Sequence, residues 1–267
     1  MKTSFLKFAS IFSIAFLLYA CSTVPIIGRK QLALVDDNEI QAQAAVAYNN
    51  FLGAAETKVI TGTNDATMVK NVGHKIASAV NTFLRENNVA DQYDFNWEFN
   101  LIQSDEVNAW CMPGGKVAVY TGILPLTYNE SGLATVMGHE IAHAIARHSM
   151  EQMSNQYAAQ ALGAAIGAST SKSKWGGLIN SAYGLGGQVA LLSYSRKNES
   201  EADRLGLIFM AMAGYEPSEA VTFWQRMASA KSSANNPPEF LSSHPSDQKR
   251  VNDLKKLLPE AQKYYRK

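Results

Sequence analysis

Two histidines spaced four residues apart in an apolar segment constrain the fold of this chain more than any other feature. The run GHEIAH (138–143) follows an Asn cap and has helical periodicity, so it predicts a helix. On that helix His139 and His143 share one face and can bind one metal ion. Glu140 lies beside that face, where it can reach a metal-bound water as a general base. The alternative is a salt-bridged surface helix, because a pattern with three fixed positions also arises by chance.

An acidic pair with the same spacing follows in the segment YSRKNESEAD (194–203). A catalytic zinc site needs a third protein ligand and an open position for water. On a second helix crossing the first, Glu199 and Asp203 would share a face, as a ligand and as an acceptor for the free ring N–H of His139. Spacing alone leaves Glu199 and Glu201 both open as the ligand.

The remaining periodicities predict a single, mainly helical α+β domain over residues 36–267. Helices are expected over 39–55, 66–87 and 129–155, from the loop at 169–177 to 214, from Pro217 onward, and over 246–258. The stretches 93–103 and 116–124 alternate polar with apolar residues and are expected to pair as a small antiparallel sheet. His74 falls in the second helix, and a lone helical histidine of this kind is assigned no catalytic role.

Composition excludes several classes of protein. Apolar residues make up 46% and charged residues 18% of the 267 residues, which is typical of a globular chain and not of a disordered or fibrous one. Without Lys2 and Lys7 the chain has 22 basic and 23 acidic residues, so nucleic acid is not an expected partner. The two cysteines cannot form a disulfide framework, and Cys111 is expected to be a buried small side chain.

The amino terminus has the pattern of an export signal. Residues 1–20 combine two lysines with an apolar run that is too short to span a bilayer comfortably. The run ends in LYAC, which resembles a bacterial lipobox, so Cys21 is the predicted acylation site and 21–35 a lipid-anchored tether. Ser22 follows where Asp would resemble an inner-membrane signal, which favours the periplasmic face of the outer membrane. The alternative is a plain secretory signal with a cysteine nearby.

Four motifs together resemble the M48 family of zinc metallopeptidases, in particular its bacterial lipoprotein members. They are HEIAHAIARH, NESEAD, NAWCMPGGKVAVYTGIL and LSSHPSDQKR, and the similarity covers residues 30 to 260. The resemblance implies a zincin-like (gluzincin) domain with one Zn²⁺ per chain, held by His139, His143 and Glu199. It thereby selects Glu199 over Glu201, and it matches Asp203 to a carboxylate that supports a ligand.

The same resemblance adds a histidine and an arginine to the site. His244 matches the family's Ser/Thr-His-Pro run, where it either donates a hydrogen bond to the oxyanion or occupies the open metal position at rest. Arg250, six residues on, is expected to orient His244 or to hold charge. His148 also matches the family pattern, but five residues of helix turn it away from the face of His143, so it is expected to support the site.

A further stretch resembles the family's edge strand beside the cleft. It comprises Asn108, Ala109, Pro113, Gly114 and Gly115, which are the predicted substrate-binding residues. An exposed strand edge can bind an extended peptide by strand addition, which suits a protease.

Taken together, the residues and the resemblance predict a zinc-dependent endopeptidase that cleaves misfolded or unassembled envelope proteins through a zinc-activated water. The expected partners are these substrates, the membrane, and the outer-membrane assembly machinery. The alternative is a chaperone-like binding module with latent or gated cleavage, in which the Ala/Gly-rich insert 156–192 covers the cleft.

Overall fold

The computed structural model describes residues 21–164, 194–233, 239–245 and 248–266, and it is mainly helical with two small sheets. The strands are β1 (Cys21–Thr23), β2 (Lys30–Leu32), β3 (Val59–Ile60), β4 (Glu98–Ile102), β5 (Ala109–Met112) and β6 (Lys116–Tyr120). The helices are α1 (Asp37–Gly53), α2 (Asn64–Glu86), α3 (Leu124–Thr127), α4 (Glu130–Ile145), α5 (His148–Ala164), α6 (Arg196–Met212), α7 (Glu219–Ser233), α8 (Phe240–Ser243) and α9 (Gln248–Ala261). The predicted class, mainly helical α+β, is confirmed. None of the described helices is both long enough and apolar enough to cross a membrane.

Short polar side chains set the starts of the long helices. Asp36, Thr63, Asn129 and Ser195 each precede a helix in extended backbone and accept hydrogen bonds from backbone N–H groups of its first turn. Such caps satisfy amide groups that have no partner inside the helix. The first three of these helices start within about two residues of the predicted positions. The helix predicted from the loop at 169–177 onward starts at Arg196 in the structure, and its predicted part before 194 lies outside the described residues.

The helix predicted over 129–155 is in fact two helices. α4 ends at Ile145, Arg147 adopts φ of 57°, and α5 begins at His148. A residue in the left-handed region ends a helix because the following turn cannot continue the same hydrogen-bond ladder. His148 therefore lies on a different helix from His143, and its position cannot be derived from helical spacing.

The larger sheet is mixed, with strand order β3-β4-β6-β5. The predicted antiparallel pairing of 93–103 with 116–124 is wrong, because β4 and β6 pair in parallel. The reason is the intervening strand β5, which forms an antiparallel hairpin with β6 and takes the outer edge. The tight turn Pro113–Gly115 makes that hairpin, and the positive φ of its two glycines, 81° and 83°, suits residues without a Cβ.

The segment predicted as a tether, 21–35, folds back on itself. β1 and β2 pair as an antiparallel hairpin, and Val24 between them is fully buried. The hairpin also contacts α5, where Arg29 donates a hydrogen bond to Glu151 at 2.8 Å. The first described residues are therefore part of the domain surface rather than an extended connection.

α4 and α6 cross in close contact at two glycines. A Cβ placed on Gly138 would lie 3.0 Å from the carbonyl oxygen of Gly206, and a Cβ on Gly206 would lie 3.0 Å from the backbone nitrogen of His139. Backbone atoms cannot move aside as a flexible side chain can. The two glycines therefore allow the histidine-bearing and acid-bearing helices to meet at the motif residues.

Replacing Gly206 by Val is expected to lower the free energy of unfolding by about 1–3 kcal/mol, because the new side chain collides with the backbone of α4. Gly53→Val is the matched control, because nothing lies within 4 Å of a Cβ at Gly53. Helix propensities of Gly and Val differ by only a few tenths of a kcal/mol, so the two variants differ mainly in this contact. Urea denaturation measures both, and equal effects would contradict the close approach.

Candidate metal centre

His139 and His143 project from one face of α4, which is buried along almost its whole length. The side chains are 3% and 1% exposed, and their Nε2 atoms are 3.1 Å apart. The helix begins at the Asn129 cap, and a Cβ on Gly132 would collide with the carbonyl oxygen of Thr127. The first turn is thus packed tightly, and the two imidazoles are presented one turn apart toward α6.

Glu199 is the carboxylate that α6 brings to these rings. Its Oε1 lies 3.3 Å from Nε2 of His143, and its Oε2 lies 3.5 Å from Nε2 of His139. Glu201 lies elsewhere, with Oε2 3.1 Å from Nε2 of His148. The structure therefore brings Glu199, and not Glu201, to the histidine pair.

His244 completes the cluster from the turn after α8. Its Nδ1 lies 3.2 Å from Nε2 of His139 and 3.0 Å from Oε1 of Glu199. Its Nε2 lies 3.3 Å from Oε1 of Glu140. One ligand atom from each of His139, His143, Glu199 and His244 lies within 4.8 Å of the others, and all four residues are buried.

The donor set and its geometry fit a zinc ion. Tetrahedral ligands about 2.0–2.1 Å from zinc are about 3.3–3.4 Å apart, close to the 3.0–3.5 Å separations among these nitrogen and oxygen atoms. Three imidazole nitrogens that face one point present lone pairs to each other, and burial of such groups without a shared cation is costly. The cluster can therefore hold a metal ion.

Asp203 and Arg250 contact members of the cluster, and Asp203 does so at the Nδ1 side of His139. Asp203 Oδ1 lies 3.1 Å from Nδ1 of His139, so it accepts the free ring N–H and leaves Nε2 facing the cluster. Arg250 donates to both oxygens of Asp203, at 2.9 and 2.6 Å, and its Nη1 is 2.8 Å from Oε2 of Glu199. Its guanidinium stacks on Trp224, 3.4 Å from the ring centroid. Arg250 also donates to the carbonyl of Pro245, directly after His244, at 3.2 Å, so its contacts are compatible with both expectations, orienting His244 and holding charge.

The buried carboxyl groups of Asp203, Glu199 and Glu140 differ in the direction in which their pKa values are shifted. Burial raises the pKa of Asp203, but the Arg250 charge and the His139 hydrogen bond outweigh it and hold the pKa below its usual range. Glu199 is likewise held far below its usual pKa, because His244 and the ring hydrogen bonds outweigh burial. Glu140 differs, because burial raises its pKa to about 7. Glu140 is thus the carboxyl group best suited to exchange a proton near neutral pH.

The hydrogen bonding of β5 leaves one edge of the strand facing away from β6, where Ala109 and Cys111 are buried in this structure. Asn108 accepts a hydrogen bond from the backbone of Tyr120, so alternate residues of β5 bond to β6. Ala109 and Cys111 then direct their backbone groups away from β6, and the strand packs against α4. Burial and the nearby Glu140 charge raise the pKa of the Cys111 thiol well above its usual value, as expected for a buried, unreactive side chain.

The turn Pro113–Gly115 makes its hydrogen bonds inside the sheet. The carbonyl groups of Gly114 and Gly115 accept from the backbone of Asn96 and Glu98. A Cβ on Gly115 would also collide with the Trp97 ring at 2.7 Å. Of the predicted substrate-binding residues, the structure thus places Asn108 and Ala109 at the strand edge and the other three in its supporting turn.

Tyr194, beside the cluster, and Arg29, farther from it, were not foreseen from the sequence, whereas His148 was. Tyr194 stacks on the His143 ring with centroids 4.0 Å apart, and it directly precedes the Ser195 cap of α6. His148 was expected to support the site, and its Nδ1 lies 2.9 Å from Nδ1 of His143. Arg29, which contacts Glu201, carries no local sequence signal, because 172 positions separate the two residues.

Comparison with known proteins agrees with this geometry. The profile of peptidase family M48 matches residues 69–258, which is more than half of the chain. The mitochondrial metalloendopeptidase OMA1 of Schizosaccharomyces pombe is 34% identical over 240 residues, or 90% of this chain and 67% of that protein. The mitochondrial metalloendopeptidase OMA1 of Bos taurus is 32% identical, over 90% of this chain and 46% of that protein.

A bacterial relative shows a similar degree of identity over a shorter stretch. The beta-barrel assembly-enhancing protease of Escherichia coli (strain K12) is 31% identical over 165 residues, or 60% of this chain and 34% of that protein. The chain thus spans less than half of the bovine and E. coli relatives. The family inferred from the four sequence motifs is confirmed, and the chain belongs to peptidase family M48, a family of zinc-dependent metallopeptidases.

Proposed function

We propose that this chain is a zinc-dependent endopeptidase in which His139, His143 and Glu199 hold the metal. The observation that carries the proposal is the buried cluster of three imidazole nitrogens and one carboxylate, with the Glu140 carboxyl beside it. Zinc bound there would act as a Lewis acid toward a peptide carbonyl and would lower the pKa of water. The members of the cluster come from α4, from α6 and from the turn after α8. The site therefore forms only when these three segments pack together.

Glu140 is the proposed general base. Within the described residues no hydrogen bond reaches its Oε1 atom, although the atom is buried. A carboxylate in this state can take a proton from water while the water oxygen bonds to the scissile carbonyl carbon. The same carboxyl group can then give the proton to the leaving nitrogen as the C–N bond breaks.

His244 is proposed to act as the residue that gates the fourth position. Its Nδ1 stands where a fourth ligand atom would be, in the same cluster as the three proposed ligands. His244 follows the short helix α8 and precedes Pro245. A rotation of this turn would move the ring away and free the fourth ligand position for a substrate. After such a rotation the ring could donate a hydrogen bond to the developing oxyanion.

The outer edge of β5 is the proposed binding site for an extended substrate. Backbone groups of Ala109 and Cys111 face that edge, and Glu140 contributes to the electrostatic environment of Cys111. A peptide that adds a strand there would present its backbone carbonyl alongside α4. Because the contacts are to the peptide backbone, unfolded chains of varied sequence would be accepted.

The proposed substrates are misfolded or unassembled proteins of a bacterial envelope, and the proposed location is the periplasmic face of the outer membrane. The support is the export signal with its lipobox, the exposed Cys21 that follows it, and the similarity to a protease named for enhancing β-barrel assembly. Contact with the outer-membrane assembly machinery is proposed on the same grounds. The lipid-anchored chain would meet its substrates at the membrane where they assemble.

The alternative, a chaperone-like binding module, depended on the insert 156–192. Most of that insert, residues 165–192, lies outside the described part of the chain. The endopeptidase and the binding module differ in one respect that can be measured, which is whether the cellular role of the protein requires Glu140.

Replacing Glu140 by Gln is expected to slow hydrolysis of unfolded casein by about 10²- to 10⁴-fold, because the amide cannot accept the proton. The full chain in detergent should retain one zinc ion, since the three ligands are unchanged. Glu130→Gln on the same helix is the control, because Glu130 is half exposed and contacts Tyr215. Casein cleavage at the wild-type rate by Glu140→Gln would overturn the assignment.

Removal of zinc with a chelator is expected to lower the melting temperature of the full chain by about 5–10 °C. The reason is that free zinc at about 100 times its Kd adds about 2.7 kcal/mol to the folded state, and chelation removes this contribution. Differential scanning calorimetry with and without chelator measures the shift, and readdition of zinc should restore it. A melting temperature that does not respond to zinc would contradict a metal bound by these buried residues.

Replacing Cys21 by Ser is expected to abolish incorporation of an alkyne-labelled fatty acid during growth, because acylation needs the thiol. The protein should also move from the outer-membrane fraction to other fractions. Cys111→Ser is the control, since Cys111 is buried and is expected to leave labelling unchanged. Labelling that persists in Cys21→Ser would disprove the lipid anchor.

A further inference from the structure

A chain of hydrogen bonds leads away from the metal cluster on the far side of His143. Nε2 of His143 faces the cluster, so its proton resides on Nδ1, which lies 2.9 Å from Nδ1 of His148. His148 must then accept at Nδ1 and donate from Nε2, which lies 3.1 Å from Oε2 of Glu201. Each step determines the direction of the next, so the chain favours one tautomer at both histidines.

The outer end of this chain is Arg29, on the connection between β1 and β2. Its Nε donates to Oε2 of Glu201 at 3.1 Å, the same oxygen that accepts from His148. Its Nη1 donates to Glu151 of α5 at 2.8 Å. The Arg29 side chain is only 9% exposed, so the guanidinium links the hairpin, α5 and α6 with little screening by solvent.

The electrostatic environment is consistent with these directions. Oε2 of Glu201 accepts from both His148 and Arg29, and its Oε1 lies 3.9 Å from Nζ of Lys197. Arg29 and Lys197 thus supply two positive charges to the two carboxylates of Glu201 and Glu151, so no proton on His148 is needed to balance them.

We propose that the β1–β2 hairpin, residues 21–32, is the outer end of a positioning relay, Arg29–Glu201–His148, that orients the metal ligand His143. Docking of the hairpin and binding of zinc then stabilise each other. Such coupling is reciprocal, because a contact that raises the affinity for zinc is itself strengthened by zinc to the same extent. The relay residues are positioning residues, and the inference rests on the proposed function only in taking His143 as a ligand.

The coupling predicts how single substitutions change zinc affinity. Arg29→Gln is expected to weaken zinc binding by roughly 3- to 10-fold, less than the roughly 10- to 100-fold typical for a direct partner of a ligand, because it acts through two further residues. Arg226→Gln is the control, since Arg226 also pairs with a glutamate and with two backbone carbonyls but does not contact the cluster. Competition with a chelating dye measures the affinity of the full chain.

A conservative substitution at His148 separates positioning from packing. The side-chain amide of His148→Asn can place a hydrogen-bonding atom near the position of the histidine Nδ1, whereas His148→Leu fills space without one. His148→Asn is therefore expected to bind zinc more tightly than His148→Leu, which should lose roughly 10- to 100-fold. Equal zinc affinities for the two variants would overturn the relay.

Hydrogen exchange tests the reverse direction of the coupling. Removal of zinc from the full chain should speed amide exchange in residues 21–32, and this effect of zinc should shrink in Glu201→Gln. Wild-type chain that binds no zinc would refute the proposed function itself. The coupling alone would be refuted by a different result. In that result the wild-type chain binds zinc, Arg29→Gln binds it with the same affinity, and removal of zinc leaves amide exchange in the hairpin unchanged.

Discussion

The close crossing of α4 and α6 is the constraint on which the site depends. Gly138 and Gly206 let the two backbones meet, with a hypothetical Cβ on either residue only 3.0 Å from the opposite main chain. At this separation, side chains four residues apart on each helix face one another. His139 and His143 therefore meet Glu199 without any loop having to be held in place, and the site inherits the rigidity of two packed helices.

Each histidine of the α4 pair has a neighbour at its Nδ1 atom, and the two neighbours come from different parts of the fold. His139 is fixed by Asp203, which Arg250 of α9 binds in turn. Nδ1 of His143 lies 2.9 Å from Nδ1 of His148, which begins α5 and is proposed to orient His143. A ligand with a set tautomer and ring orientation is prepared for metal before the metal binds. The left-handed residue between α4 and α5 matters here, because it turns His148 back toward the preceding helix.

Sequence reasoning succeeded where an interaction is local and failed where it is not. Cap residues predicted α1, apolar periodicity predicted α2, and the spacing of Glu199 and Asp203 predicted α6, because each of these signals comes from residues within a turn or two of each other. Alternation identified strands around 98–102 and 116–120 but could not determine their pairing, which depends on the intervening hairpin. The break at Arg147 has no Gly or Pro to mark it, and Arg29 reaches its partners across more than a hundred residues.

The charges of the buried side chains explain why the cluster suits a divalent cation and support the proposal that Glu140 is the base. Glu140, Glu199 and Asp203 together carry three negative charges when ionised, and the guanidinium of Arg250 returns one positive charge. Two negative charges remain, which a divalent cation would neutralise in a medium that screens charge poorly. Arg250 pairs with Glu199 and Asp203, and His139 contacts both, so these two carboxylates are held ionised. Glu140 differs from them in having a raised pKa, about 7. It is therefore the carboxyl group that can gain and lose a proton without breaking the contacts of Arg250 with the other two carboxylates.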